Sequence, residues 1–429
     1  MSGIRAEQGP PLSIPMSFFL TAPLALAAAG ALLLLRGGDE MGNVWGPTNV
    51  AVVHLGVVGF LMLVMVGALY QMLPVVAGAV VPLVRLAHAV HALLVLGATA
   101  LVTGQATGSA TAFTIAIVLL VAALLLFALP AGAALLRTTV AGPTAWGMRL
   151  ALLALALVIA GGLWMSAARA GVPFHGEWLT LRWAHAHVGF LGWIGVLVAA
   201  SSWQVVPLFF VTPAPPATLP WLVLGGAALS LAALVGVALA QFPSSSLLWA
   251  CVPGALAVWI VQPAWALWAL RNRRRKRKDP SLWFWWASMS CAFACPLLGV
   301  AAARLEQPVW PLLYGLCVLW GFAATLVHGM LTRIVPFLVW LHHCAPRIGT
   351  QPVPSARELL PDTRSARGFQ LHVATLVAGI VAALLANDVA WRLFGAGLLL
   401  TGLHLELALW AAWQAGRAPA KSTLPPAVH

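Results

Sequence analysis

One template occurs three times in this chain, and it constrains the fold more than any other feature. The copies cover residues 54–74, 187–207 and 316–336, about 130 residues apart. Each copy is apolar, ends in proline and carries a glycine at its sixth position, namely Gly59, Gly192 or Gly321. A repeat of this length gives each copy an equivalent place in the structure. The sequence therefore predicts three related units.

Composition sets the class of protein. Hydrophobic residues make up 62% of the chain, charged residues make up 8%, and the mean hydropathy is +0.95. Water cannot solvate so apolar a surface, so a soluble domain is excluded and a polytopic membrane protein is predicted. Twelve apolar runs are long enough to cross a bilayer, four in each repeat. They are expected near residues 16–35, 48–72, 86–104, 112–136, 147–168, 184–210, 219–241, 246–270, 282–303, 310–340, 369–387 and 391–415.

The predicted fold is a single all-α integral membrane domain spanning residues 1–429. Its twelve transmembrane helices form three pseudo-three-fold repeats of four helices each. The repeats are expected at about 16–137, 146–270 and 282–415.

The placement of Lys and Arg predicts the orientation. The positive-inside rule puts both termini in the cytoplasm. The expected location is a bacterial-type inner membrane. Five arginines then fall on the outer side, namely Arg36, Arg169, Arg182, Arg304 and Arg392. The dense basic run at 271–278 lies in an inner loop, so much of the net charge of +13 serves topology and contact with anionic membrane lipid. No nucleic-acid partner is expected.

Histidines within apolar sequence point to chemistry. An imidazole in hydrocarbon needs partners for its donor and its acceptor, so such residues usually face the interior of a helix bundle. Two template copies begin with histidine, His54 and His187, which we expect at equal depth on neighbouring helices. Two imidazoles at one depth are the ligands of six-coordinate haem iron. The alternative is that these histidines only hydrogen-bond to neighbouring helices and order the bundle.

His185 lies two residues before His187, about 200° around the helix, so we expect it to face a different compartment and to hold a second haem or a metal. His328 belongs to the third template copy and lies about 18 Å deeper than the first template position. It is a further candidate haem ligand. The five cysteines lack the spacing for covalent haem attachment, so a b-type haem is expected rather than a c-type.

A second group of candidate ligands is expected near the cytoplasmic face. His88 and His91 share a helical face at a spacing suited to copper or zinc, and His372 is the repeat-related counterpart of His91. The site would be completed by ligands from the tenth helix, namely His328, His342 or His343. The alternative is a belt of histidines that contacts water and lipid headgroups.

Three further polar residues are expected inside the membrane. Glu406 stands out because an acid deep in a span is costly unless it is paired or functional. His404 lies two residues away, so the two side chains do not share a helical face and each needs its own partner. Arg333, where the other template copies have glutamine, is expected to pair with Glu406 or with a haem propionate.

The chain resembles subunit I of the haem-copper oxidase superfamily, which includes nitric-oxide reductases. The resemblance is carried by the twelve-helix, three-fold plan, by His54 in the second helix, and by Ala184-His185-Ala186-His187 opening a helix that ends in proline. It implies that His54 and one residue of the His-x-His pair hold a low-spin haem, and that the other residue of the pair holds a high-spin haem. The chain also resembles the NnrS family, twelve-helix haem and copper proteins of nitric-oxide metabolism. There Gly329-Met330-Leu331-Thr332-Arg333 is similar to a Gly-x-Met-Thr-Arg stretch, shifted by one residue.

The chain departs from the oxidase pattern around the copper site. Its His-x-His pair is on the sixth helix instead of the tenth, its seventh helix has no histidine, and neither Tyr70 nor Tyr314 is an obvious counterpart of the active-site tyrosine. The expected function is a haem-binding redox protein of nitric-oxide or oxygen metabolism without a complete copper–tyrosine centre. A second haem or copper, a quinol or cytochrome electron donor and a gas such as nitric oxide are implied. The alternatives are a transporter for copper, haem or a small solute, and a non-catalytic oxidase-like scaffold.

Overall fold

The computed structural model describes residues 9–38, 41–140, 142–277 and 279–417. Within these ranges it contains helices and connecting loops but no strands, and 12 helices are long and apolar enough to cross a membrane. The predicted all-α integral membrane fold with twelve helices is confirmed. The termini that were expected in the cytoplasm lie outside the described residues.

The membrane helices are numbered α1 to α12 in chain order. They are Ser13–Arg36, Pro47–Val76, Val84–Thr107, Ala110–Arg137, Pro143–Arg169, Trp178–Phe210, Thr218–Leu239, Ser246–Arg271, Pro280–Arg304, Val309–Arg347, Asp362–Leu385 and Asp388–Arg417. The largest differences from the predicted spans are at the starts of α6 and α11 and at the end of α10, where the extra turns carry arginines that an apolar pattern misses. Large apolar side chains such as Leu129, Leu222 and Leu407 are exposed on the outer surface, where lipid would solvate them.

The three template helices share an unusual backbone. α2 is π-helical over Leu55–Met62, α6 over Val188–Val196 and α10 over Cys317–Ala324. Each π-helical segment begins at the second template position. π-helical turns are rare and occur frequently at functional sites. Equivalent sequences therefore adopt the same irregular geometry in each third of the chain.

Each template helix also packs on the first helix of its own repeat through the sixth template position. A methyl group added to Gly59, Gly192 or Gly321 would lie 2.6, 2.6 or 3.1 Å from the nearest side-chain atom there. The side chains approached are Ala25 on α1, Ala154 on α5 and Cys291 on α9. Membrane helices associate through such small residues because close packing replaces the hydrophobic drive that lipid removes. The template glycines thus seat α2, α6 and α10 in the bundle.

The first and last helices of the chain pack together. A methyl group on Gly402 of α12 would lie 2.6 Å from the backbone nitrogen of Ala27 on α1, and one on Gly395 would lie 2.8 Å from Cβ of Leu33. Gly30 makes an equally close approach from the α1 side. This contact joins the first repeat to the third.

Candidate functional site

A cavity of about 940 Å³ lies inside the bundle at the end where α2 and α6 begin. Its wall is formed by residues of α1 to α6 and α10 to α12. The wall is mostly apolar and carries a few polar groups, among them Asn49, His54, Arg169, Arg182 and His185. Apolar cavities of about 300 to 1,000 Å³ with few convergent polar groups are typical ligand sites.

His54 presents one ring nitrogen to this cavity. It ends the α-helical part of α2, just before the π-helical segment. Its Nδ1 lies 2.7 Å from the carbonyl oxygen of Val50, one turn earlier. A carbonyl only accepts, so Nδ1 carries the proton and Nε2 keeps a lone pair. Proteins fix metal-ligating imidazoles in this way.

His185 of α6 lines the same cavity and has the same tautomer. Its Nδ1 donates to the carbonyl oxygen of Val158 on α5 at 3.0 Å. Gly161 and Gly162 make room for the ring, because methyl groups there would lie 3.4 and 3.3 Å from imidazole atoms. His54 and His185 line one and the same cavity. The structure therefore brings these two residues together.

The predicted pairing of His54 with His187 does not form. His187 is absent from the cavity wall, and its ring stacks on Tyr314 of α10, with ring centroids 5.7 Å apart and planes at 29°. Its Nδ1 donates to the carbonyl oxygen of Trp183, four residues earlier, at 2.7 Å. His54 makes the equivalent hydrogen bond to the carbonyl oxygen of Val50 on α2. In a rotational arrangement, equivalent positions face the next member of the ring and not each other.

One register rule describes these contacts. The residue at the first template position of one helix faces the next template helix. The residue it faces there lies two residues before the first template position of that next helix. The resulting pairs are His54 with His185 and His187 with Tyr314, and the third set of equivalent positions is Leu316 with Val52. Tyr314 was missed in the sequence, although its place two residues before Leu316 matches that of His185 before His187.

Glycines leave open space in the wall of the cavity that the two histidines line. A methyl group on Gly56 or Gly315 would meet no atom within 4 Å, and one on Gly189 would meet only Cγ2 of Val158, at 3.7 Å. All three glycines line the cavity. Gly56 and Gly189 hold the same template position, two residues after the histidine. Unobstructed backbone beside paired imidazoles fits a planar macrocycle such as haem.

Two arginines line the cavity, Arg169 at the end of α5 and Arg182 near the start of α6. The Arg182 guanidinium lies over the rings of Trp45 and Trp178, at 5.1 and 5.0 Å, and Arg169 lies over Trp178 at 5.7 Å. Among the described residues, neither arginine forms a salt bridge with a carboxylate. They are available to the carboxylates of a ligand. The sequence assigned them to topology alone, although Arg182 shares a helical face with His185.

The predicted copper or zinc site around His88 and His91 does not form. His91 Nε2 lies 2.9 Å from Oγ1 of Thr21 on α1, and His88 is exposed, with Nε2 3.5 Å from Oγ of Ser13. These side chains turn toward α1 within their own repeat, away from the ligands expected on α10. In the described part of the chain, no group of three or more His, Cys, Asp or Glu residues is arranged to hold a metal ion.

The remaining candidate histidines belong to the third repeat. His342 and His343 lie in the last turns of α10, where the His343 ring packs on Trp413 of α12 at 5.6 Å. They do not join His88 and His91, which lie in the first repeat.

His328 and His372 contact each other instead of a cofactor. Their Nδ1 atoms are 3.2 Å apart, and each residue is only 1% exposed. The His328 ring packs 4.7 Å from that of Phe284. His328 therefore lies outside the wall of the cavity that His54 and His185 line, and His372 contacts His328 and Thr325 instead of the other histidines of the predicted metal site.

Arg333 is also placed differently from the prediction. It forms an ion pair with Asp279 and donates to the carbonyl oxygen of Phe209 at 3.0 Å, so it pairs with neither Glu406 nor a cavity ligand. Arg333 is too deep to reach the cavity, because it lies nine residues, about 14 Å along α10, beyond Ala324, the last residue of that helix in the cavity wall. Oε2 of Glu406 is buried without a partner among the described residues.

Searches against protein-family models and against curated proteins find no match for this chain. The resemblance to the haem-copper oxidase superfamily and to NnrS proteins therefore stays a prediction from the sequence. The function has to be argued from the cavity and its side chains.

Proposed function

We propose that this chain is a haem-binding membrane protein in which His54 and His185 would hold one b-type haem. The observation that carries the proposal is the matched presentation of the two imidazoles. Each donates through Nδ1 to a backbone carbonyl, which leaves an Nε2 lone pair for iron, and both line one cavity.

The remaining wall suits the same cofactor. Gly56, Gly189 and Gly315 leave room for the ring, and Arg169 and Arg182 are positioned to pair with its propionates. The carbonyls of Val50 and Val158 hold both imidazoles in one tautomer and raise their basicity as ligands. The apolar wall limits access of water, which would alter the electrostatics around the iron.

A haem held by His54 and His185 would supply one-electron transfer. We therefore propose an electron-carrying role as the core of the expected function in nitric-oxide or oxygen metabolism. A quinol or cytochrome donor remains the proposed partner. His187 is proposed to support the cavity wall through Tyr314, whose ring lines the cavity and stacks on the imidazole.

The proposal is tested by the optical spectrum of the detergent-purified protein, oxidised and reduced. We expect sharp reduced bands of a six-coordinate b-type haem. His54→Ala should abolish them, whereas the matched control His342→Ala, outside the cavity, should keep them. A colourless protein after expression with added haem would contradict the proposal and would favour a transporter or a scaffold.

A further inference from the structure

The connection between α8 and α9 concentrates positive charge at the end of the bundle opposite the cavity. Residues 271–278, the basic run, include seven arginines and lysines. The loops at the same end that join α2 to α3, α4 to α5 and α6 to α7 contain neither residue type. Chain orientation needs only an excess of positive charge over the whole face of the membrane. Charge this dense at one connection therefore indicates a local anionic partner.

A backbone contact holds the basic run against the end of α6. The amide nitrogen of Arg274 donates to the carbonyl oxygen of Val211 at 2.9 Å. Arg274, Arg275 and Arg277 are exposed, and none of the ion pairs between described residues includes them. The run is thus fixed in place, and its guanidinium groups are positioned to bind an anion.

The acids closest to the basic run are already engaged. Asp279, directly after the run, pairs with Arg333 and accepts from the backbone nitrogen of Ser281 in the first turn of α9. Asp362, at the start of α11 on the same side of the membrane, pairs with Arg357. Neither carboxylate is free to neutralise the run.

The positive region reaches the next connection at this end of the bundle. Burial lowers the pKa of Arg357, which lies between α10 and α11. The positive charges of Arg277, Arg333 and Arg275 lower this pKa further, and the negative charge of Asp279 opposes them. The basic run and Arg357 therefore belong to one positive surface.

Exposed tryptophans lie on both sides of the basic run. Trp268 is exposed three residues before it, and Trp283 and Trp286 are exposed in the first two turns of α9. Trp283 and Trp286 share one face of α9 with the exposed Leu297, farther along the helix. These three residues form the tryptophan face. Because indole rings are favoured at the boundary between headgroups and hydrocarbon, the run lies at headgroup depth beside a lipid-facing surface.

We propose that the basic run and the tryptophan face together bind one anionic phospholipid of the surrounding membrane. The guanidinium groups bind the headgroup phosphate, and the acyl chains lie along the tryptophan face. A soluble anion would use the charges alone, whereas a phospholipid uses the charges and the apolar face at once. The site is at the opposite end of the bundle from the cavity, so it does not rest on the haem proposal.

The test is native mass spectrometry of the full-length protein in detergent, titrated with phosphatidylglycerol or with phosphatidylcholine of the same acyl chains. We expect the first phosphatidylglycerol to bind at least about tenfold more tightly than the first phosphatidylcholine, because several basic residues act on one phosphate. Glycerophosphoglycerol, the same headgroup without acyl chains, separates a lipid site from a site for soluble phosphate diesters. It should not bind at concentrations at which the lipid saturates the site.

A double variant with Arg275→Gln and Arg277→Gln should lower the affinity for phosphatidylglycerol about tenfold and leave that for phosphatidylcholine unchanged. The matched control carries Arg85→Gln and Arg137→Gln, which remove two exposed charges from the same end of the bundle. Its affinity should stay within about twofold of the wild type. Arg277→Glu replaces the double variant if the latter is not monodisperse.

Three results would overturn the lipid site. They are equal affinity for the two lipids, equal loss in the run variant and in the control, and binding of the bare headgroup as tightly as the whole lipid. The haem spectrum should be the same in both variants and in the wild type. A missing haem spectrum in the wild type would overturn only the haem proposal.

Discussion

The contact between α2 and α6 and the contact between α6 and α10 are two outcomes of one design. In both, a histidine at the first template position donates to the carbonyl four residues earlier, at 2.7 Å, and faces the next template helix. In the first contact the residue opposite is His185 and a cavity opens. In the second it is Tyr314 and the two rings stack. The residue two positions before the template thus distinguishes the two contacts: a histidine there gives a potential pair of ligands, and a tyrosine gives a stacked aromatic contact.

The largest effect on haem binding is expected from a variant that converts the first contact into the second. His185→Tyr should abolish haem binding, because a phenol replaces the second imidazole and occupies more of the cavity. Haem per protein would be measured by the pyridine haemochrome method. His187→Tyr, two residues away on the opposite face, should keep at least half of the haem. Equal loss in both variants would contradict the assignment.

A second prediction concerns the flat space beside the histidines. Gly56→Val should weaken haem binding at least about tenfold, because its side chain projects into the cavity where a planar ligand would lie. Gly225→Val is the matched control. Gly225 is also a helical glycine without atoms within 4 Å of an added methyl group, but it is exposed on α7. Haem titration of the purified apoproteins would measure both affinities.

A third prediction concerns the charge near the cavity. Arg182→Gln should lower the midpoint potential of the haem by on the order of 50 mV, because a nearby positive charge disfavours the oxidised iron. A redox titration followed optically would measure the shift. Arg304→Gln, at the end of α9 and outside the cavity wall, should shift the potential much less. An upward shift in Arg182→Gln would contradict the proposed place of the haem.

The smallest effect is expected at the far end of the template. Arg333→Gln should lower the free energy of unfolding by about 1 kcal/mol, since it removes a partly buried ion pair with Asp279. The haem spectrum should not change, because Arg333 lies about 14 Å along α10 beyond Ala324, the last residue of that helix in the cavity wall. Thermal unfolding in detergent and the reduced spectrum would check the two statements. A changed spectrum would revive the predicted pairing of Arg333 with a propionate.

Periodicity and glycine register made much of the fold predictable. Twelve apolar runs were long enough to be identified as spans, and the template glycines fall where each helix approaches the first helix of its repeat. The starts of α6 and α11 were placed too late because arginines interrupt the apolar pattern there.

The site was only partly predictable. Spacing along the chain gives the depth of His54, His185 and His187, but it does not give the direction in which helices rotate around the pseudo-axis. Equal depth therefore suggested His187 as the partner of His54, whereas the structure places His185 in the same cavity wall. The cluster of His328, His372 and His404 depends on how α10, α11 and α12 pack, and no local pattern reports that contact.

The measurement that tests the central claim most directly is the reduced-minus-oxidised spectrum of the wild type beside His185→Ala and His187→Ala. We expect b-type bands in the wild type, their loss in His185→Ala and their retention in His187→Ala. Retention in His185→Ala with loss in His187→Ala would contradict the pairing of His54 with His185 and would restore the pairing of the two first template positions.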